Sequence, residues 1–334
     1  MKKMEVDIGI QLPNFANEYQ HFCHRNAIRN ILYLLGVPEY ELLIKNTIDI
    51  QLVSDKENRN FFYPAVINTR PVLSDIAYLL SDWKYTKSWD EIITVLTAGD
   101  FVLVNTDVYY LPYTKFYLKE HGSHVVILLE QKKSEFLVLD WYSPQFFLGW
   151  LTKKELELAR ESENPYEENH AYSGYPISCA WQRFKLATIP KFSKDDLLLE
   201  LLQDIVTRLR KVCLNEQRIR NLFCFESIYL SEQCCSAQIV EDLFLLIAER
   251  KLCRYQLMTY GNELKQFESM IKQICALLDS IIDYYDKLKM MALRAQIAGR
   301  FPMQKVWDDY SNSAIDQTIE LEKVIDQYLY MNLE

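Results

Sequence analysis

The sequence predicts an α+β domain built on an antiparallel sheet over residues 1–190, followed by an all-helical domain over residues 191–334. Three observations lead there. Short apolar runs rich in β-branched and aromatic residues cluster in the first half, as strands should. All prolines but Pro302 also lie there. From Ser193 onward the period changes to three and four, and long helical stripes replace the runs.

The first expected element is a helix from about Cys23 to Leu35. Ala27, Ile28, Ile31, Leu32 and Leu35 fall on one face, and Gly36 followed by Pro38 ends it. Further helices are expected over Ser74–Leu80 and Ser88–Leu96. The runs FVLVN (101–105), VVILL (125–129) and FLVL (136–139) read as strands, the last two joined by the polar stretch EQKKSE as a hairpin. WQRFKLA (181–187) alternates well enough for another strand. Trp141, Tyr142, Phe146, Phe147 and Trp150 read as core or interface rather than as a ligand cage.

In the second half Ser193 caps KDDLLLELLQDIVTRLRKV, with acidic residues in its first turn and basic ones in its last. Further helices are expected at about 215–230, 237–256, 261–288 and 312–331. Short connections imply antiparallel packing.

Composition narrows the function. The chain has 334 residues, 49% of them hydrophobic, with only 8 Gly, which excludes fibrous and disordered classes. A net charge of −9 argues against nucleic acid as a partner. No run of 18 apolar residues predicts a membrane span, and Glu5 and Asp7 interrupt what a signal peptide would need as its apolar core. A cytoplasmic, reducing location follows as the expectation. Six of the eight cysteines sit among helical apolar residues and read as packing; Cys179 is undecided.

Cys23 is different. It stands at the start of a helix, where the positive end of the dipole favours the thiolate, although a lone cysteine there is more often a small packing residue. His124 opens the VVILL strand and Asp140 closes FLVLD, so a hairpin should set them side by side. An imidazole oriented by a carboxylate can then activate the thiol. His121 is the rival base, but it precedes Gly122 in what should be a loop. His21–His24 and His121–His124 also have H-x-x-H spacing, which raises zinc; the HExxH signature and CxxC pairs are absent, so no metal is expected. His24 could instead help bind substrate. Asp107 and Tyr113 flank YYLP, either as a packed turn or as a substrate wall with Asp107 meeting a cationic amine.

The segments HFCHRNAIRNILYLLG, DVYYLPYTKFYLKEHGSHVVILLE and FLVLD together resemble the butirosin-biosynthesis BtrH N-terminal family, over roughly residues 14–190. The resemblance implies a C39-like, papain-like fold and an acyltransferase of natural-product biosynthesis. By it, Cys23 is the nucleophile, His124 the base and Asp140 the orienting acid. Papain-like enzymes draw an oxyanion donor from a Gln about six residues before the nucleophile; here Asn17 occupies that position and Gln20 lies closer. The implied donor is an acyl group on a carrier-protein thioester, whose phosphopantetheine makes any other cofactor unnecessary. The implied acceptor is an amine on a small molecule or peptide. Carrier proteins are acidic, so docking on this acidic chain calls for a local basic patch, with Lys132–Lys133 and Lys153–Lys154 as candidates. The helical half is expected to serve as a lid, a carrier dock or a homodimer surface. A hydrolase with the same three residues and a non-catalytic scaffold are the rival readings.

Overall fold

The computed structural model describes residues 22–45, 48, 51–54, 60–63, 72–142, 145–167, 172–189, 191–230, 236–261 and 267–333. In chain order its elements are α1 (Cys23–Leu34), β1 (Gln51–Ser54), β2 (Asn60–Tyr63), β3 (Lys84–Tyr85), α2 (Asp90–Thr97), β4 (Phe101–Asp107), β5 (Ser123–Lys132), β6 (Glu135–Tyr142), β7 (Gln145–Thr152), α3 (Lys153–Arg160), β8 (Ala180–Phe184), α4 (Lys194–Leu214), α5 (Glu216–Phe223), α6 (Ser236–Gly261), α7 (Glu268–Ala298) and α8 (Gln304–Leu333). This is an α+β protein with a helical C-terminal region. No described helix is long and apolar enough to cross a membrane.

The chain divides into two compact units. One comprises Met1–Tyr40 with Thr69–Lys191, the other Glu41–Asn68 with Phe192–Glu334. The β1–β2 hairpin therefore groups with the long helices and not with the larger sheet.

In the first unit six strands form one antiparallel sheet in the order β3-β8-β4-β5-β6-β7. The three apolar runs became β4, β5 and β6, each longer than the run itself. EQKKSE is mostly strand, since pairing continues to Lys132↔Glu135 and only Lys133–Ser134 turn, with Lys133 at φ 56. The aromatic stretch read as core or interface is largely β7, paired along its whole length to β6. Its residues are aromatic on both faces, which hides the period-2 signal of a half-buried strand. Ser74–Leu79 is a 3-10 helix rather than an α-helix.

One sheet face carries Val102, Val104, Val126, Leu128, Phe136, Val138 and Trp181, packed on Trp89, on Ile92 and Leu96 of α2 and on Leu156 and Ala159 of α3. α1 packs on β4, β5 and β6 and covers the other side, because His24 reaches Gln182, which alternates with the core-facing Trp181. α1 ends as its glycine predicts. Gly36 is left-handed at φ 68, and the Val37 amide donates to Leu32 O at 3.1 Å while the Gly36 amide donates to Tyr33 O.

The second unit opens its helices as expected. Ser193 Oγ accepts from the Asp196 amide at 3.1 Å, and Leu198, Leu201, Leu202, Ile205, Leu209 and Val212 of α4 are buried. The 215–230 stretch splits into α5 and a π-helical turn at Glu226–Leu230. α7 runs ten residues past its expected end, α8 begins eight residues before its expected start, and Pro302 lies between them. Within this unit Arg250 Nη2 donates to Ile48 O, and Gln256 Nε2 donates to Glu41 O and Ile44 O. These bonds tie the start of the 41–68 segment to the helices: the carbonyls of Glu41, Ile44 and Ile48 are satisfied by buried side chains of α6.

Candidate active site

His124 and Asp140 come together. Nε2 of His124 lies 3.0 Å from Oδ1 and 2.9 Å from Oδ2 of Asp140, with the residues 5% and 3% exposed. The route differs slightly from the expected hairpin pairing. His124 pairs with Thr106 on β4 and Asp140 with Phe147 on β7. The β5–β6 ladder begins only at Ile127↔Leu139, so the two residues are not ladder partners. They meet because both project from the face that carries Val126 and Val138, each two residues along its strand.

Beyond Ile127 and Leu139 the strands part, and α1 takes up the bonding that β5 has left. Asn26 and Asn30, one turn apart, donate their side-chain amides to the carbonyl of Trp141 at 2.7 and 2.9 Å. Trp141 adjoins Asp140 in the chain, and Cys23 is the first residue of α1, one turn before Asn26. The helix start and the His–carboxylate pair are thus tethered to consecutive residues of β6. Cys23 is partly buried and is a free thiol. The hydrogen bonds of the described residues join His124, Asp140 and Tyr113, and the Cys23 thiol is not among them.

Tyr113 donates its hydroxyl to Asp140 Oδ2 at 2.9 Å, and its ring lies flat on Phe147 at 3.8 Å. The sequence leaves Tyr113 between a packed turn and a substrate wall, and its hydroxyl meets the Asp140 carboxylate. Spacing alone could not have found this contact, which spans 27 positions.

Asp107 is fully buried. Its Oδ1 accepts from the amides of Tyr109 and Gly122 at 3.0 and 3.1 Å, and its Oδ2 meets Ser162 Oγ and, at 2.7 Å, Nδ1 of His121. Four donors occupy the carboxylate, so the idea that it meets a cationic amine finds no support in its surroundings. The packed-turn alternative fits: the carboxylate caps the 3-10 turn Val108–Tyr110. His121 stacks on Tyr109 at 4.1 Å. His121 and His124 therefore serve different carboxylates and do not converge on one point. Among the described residues no three His, Cys, Asp or Glu side chains gather as a metal cluster.

His24 is also held internally. Its Nε2 lies 2.8 Å from Gln182 Oε1, and its ring packs on Trp83 at 5.1 Å. Burial pushes its pKa down to about 4, against the Gln182 hydrogen bond and with a smaller push from Arg25. The imidazole is neutral at pH 7 and braced against β8. Asn17 and Gln20, expected as oxyanion donors, lie outside the described residues, as do His21 and His170.

Lys132–Lys133 close the β5–β6 hairpin and Lys153–Lys154 open α3, whose first amide donates to Ser134 O at 2.8 Å. Both pairs lie at the opposite end of β5 from His124, roughly 26 Å away at strand rise.

No curated protein matches this chain. Residues 78–141 match the family model for butirosin biosynthesis protein H, N-terminal. The matched stretch carries Asp107, Tyr113, His121, His124 and Asp140 and stops short of Cys23. Over those residues the match bears out the resemblance read from the motifs, and the chain is similar to the butirosin biosynthesis protein H N-terminal family.

Proposed function

We propose that this chain is a cysteine acyltransferase of natural-product biosynthesis, with a papain-like arrangement of Cys23, His124 and Asp140 in its first unit. The observation that carries the reading is the buried His124–Asp140 pair one residue from the Trp141 anchorage of α1. Cys23 is proposed to reach the pair round the end of the sheet, since α1 covers the opposite face. With Nε2–H given to the carboxylate, the neutral tautomer carries its lone pair on Nδ1, the atom proposed to exchange a proton with the thiol. The similarity to a family named for butirosin biosynthesis supports an antibiotic-pathway context.

The reaction runs in two steps. Cys23 gives its proton to His124, and the thiolate adds to the carbonyl of an acyl thioester. Collapse expels the carrier's phosphopantetheine sulfur, which takes the proton back from His124, and leaves the acyl group on Cys23. An amine of the acceptor then adds to this thioester and loses its proton to His124, which returns it to the departing Cys23 sulfur. The Cys23 amide and the side chain of Asn17 or Gln20 are proposed to hold the oxyanion in both steps. If water replaces the amine, the same cycle is hydrolysis.

The test is direct. The protein is incubated with an acyl-phosphopantetheine thioester and its peptides are weighed. An acyl adduct on Cys23, lost in Cys23→Ala, is expected; its transfer to an added amine faster than to water separates acyltransferase from hydrolase. Absence of the adduct, or full turnover by Cys23→Ser, overturns the reading.

A further inference from the structure

The segment between β4 and β5 is a loop by length, yet it is closely tied to itself. The Val108 amide donates to Gly122 O at 3.0 Å and the Leu118 amide to Tyr109 O at 2.9 Å. Thr114 Oγ1 donates towards the carbonyls of Val108 and Leu111, both at 3.1 Å. At the base Asp107 binds the Tyr109 and Gly122 amides, His121 and Ser162. Asp107 closes one side of the loop and His121 the other, so the hydrogen bond between them clasps both ends.

Leu111 and Tyr110 of this clasped loop pack on the sheet core, and Tyr113 goes further, to a polar partner. Tyr113 reaches Asp140 Oδ2 at 2.9 Å, with its ring parallel to Phe147 within 1°. Phe147 is the ladder partner of Asp140 on β7. The hydroxyl is therefore aimed by two constraints, the loop from behind and the Phe147 ring from the side.

We infer that Tyr113 is a positioning residue, which fixes the Asp140 carboxylate and sets how strongly it holds the proton on His124. The physics gives a sign. A buried carboxylate that accepts from a phenol shares its charge between phenol and imidazole. Removing the phenolic donor leaves the whole charge to the imidazole and favours the imidazolium. A stronger phenolic donor does the reverse. A side chain that merely packs has neither effect.

The motif D-x-Y-Y-L-P-Y then has a single explanation. Its first residue clasps the loop, and its last delivers the hydroxyl. Only the kinetic part of the inference rests on His124 acting as the base; the titration does not.

The experiment uses the full chain. The imidazole of His124, identified by the signal lost in His124→Gln, is titrated by NMR in the wild type, in Tyr113→Phe and in protein carrying 3-fluorotyrosine at position 113. Tyr113→Phe keeps the ring on Phe147 and removes only the donor, and should raise the His124 pKa by about one unit, a tenfold gain in proton affinity. The fluorinated ring is close to isosteric and a stronger donor, and should lower it; this arm stands even where the phenylalanine variant folds poorly. With acetyl-pantetheine thioester as the acyl donor, Tyr113→Phe should lower kcat about tenfold with KM unchanged, the pattern of an interaction felt in the transition state. His124 titrating alike in all three proteins overturns the inference. A shifted titration without acylation of Cys23 leaves the positioning role standing and removes the proposed function; acylation with an unshifted titration does the opposite.

Discussion

Two histidines three residues apart each meet a carboxylate, and the two pairs are built for different ends. His121 binds Asp107 through Nδ1 at 2.7 Å, and His124 binds Asp140 through Nε2 at 2.9 Å. Asp107 also takes two backbone amides and a serine hydroxyl from a residue 55 positions on, so it holds a loop together. Asp140 takes a tyrosine hydroxyl and stands beside the residue on which α1 is anchored. A short His–carboxylate distance therefore does not identify a proton-transfer pair. What the carboxylate's remaining lone pairs do is the better guide.

The sharpest way to break this comparison is to neutralise each carboxylate in turn. Asp140→Asn keeps the shape and an acceptor for Tyr113, but it cannot stabilise a charged His124. On the proposed reading, acylation of Cys23 should fall on the order of 10²–10⁴-fold with a small change in stability. Asp107→Asn loses a charge that four donors share, and should cost about 3–5 kcal/mol of stability, as breaking a buried pair does. Acylation by the folded fraction should stay within a few-fold of wild type. Denaturant melts and acyl-adduct kinetics read both variants. If the folded Asp107→Asn protein is dead and Asp140→Asn is active, the two pairs have been assigned the wrong way round and His121 is the base.

Much of this difference could not be read along the chain. His124 and Asp140 were legible because each sits at the end of a strongly apolar run, where strand alternation decides which way a side chain points. Asp107 was not, because one of its decisive partners, Ser162, lies in a connection without periodic signal. Tyr113 was singled out for its neighbours Tyr109, Tyr110 and Pro112, and those could not say that it turns towards β6. The same limit explains β7, where Phe146, Phe147, Leu148 and Trp150 are apolar in both phases. It also explains the division of the chain: the bonds from α6 to Glu41, Ile44 and Ile48 span more than 200 positions. The cap at Ser193, the stripe of α4 and the glycine end of α1 were plain because each is decided within a few residues.

A third histidine sharpens the contrast at smaller cost. His24 has an amide partner, Gln182, which itself donates to Ser81 O at 2.6 Å, and its pKa falls to about 4. In the unfolded chain the imidazole takes its proton near its ordinary value of about 6.5. Between those values the unfolded state binds a proton that the folded state refuses. Stability from this residue is therefore complete above about pH 6.5 and is lost as the pH falls towards 4. Allowing for the partial exposure of the ring, the loss should be on the order of 2 kcal/mol. Urea melts of the wild type at pH 7 and pH 4.5 should differ by that much more than those of His24→Asn. Equal pH dependence in the two proteins would show that His24 takes its proton as readily in the fold as in the unfolded chain, and would remove its role as a neutral brace.

The smallest effect tests how the clasp is shared. Ser162 Oγ bonds Asp107 and also accepts from the Asn164 amide at 2.9 Å, so it links the β4–β5 loop to the chain after α3. Ser162→Ala removes one of four donors to Asp107 and leaves His121 and both backbone amides in place. The expected loss is about 1–2 kcal/mol, because the bond to Asp107 goes and the buried Asn164 amide loses its acceptor as well. The His124 titration should not move, because the three donors that remain are enough to keep the loop closed and Tyr113 aimed at Asp140. Thermal melts read the first expectation and NMR the second. If the His124 titration shifts in Ser162→Ala as it does in Tyr113→Phe, the two pairs are coupled through the loop, and the separation between structural and proton-handling carboxylates fails at the point where it was drawn.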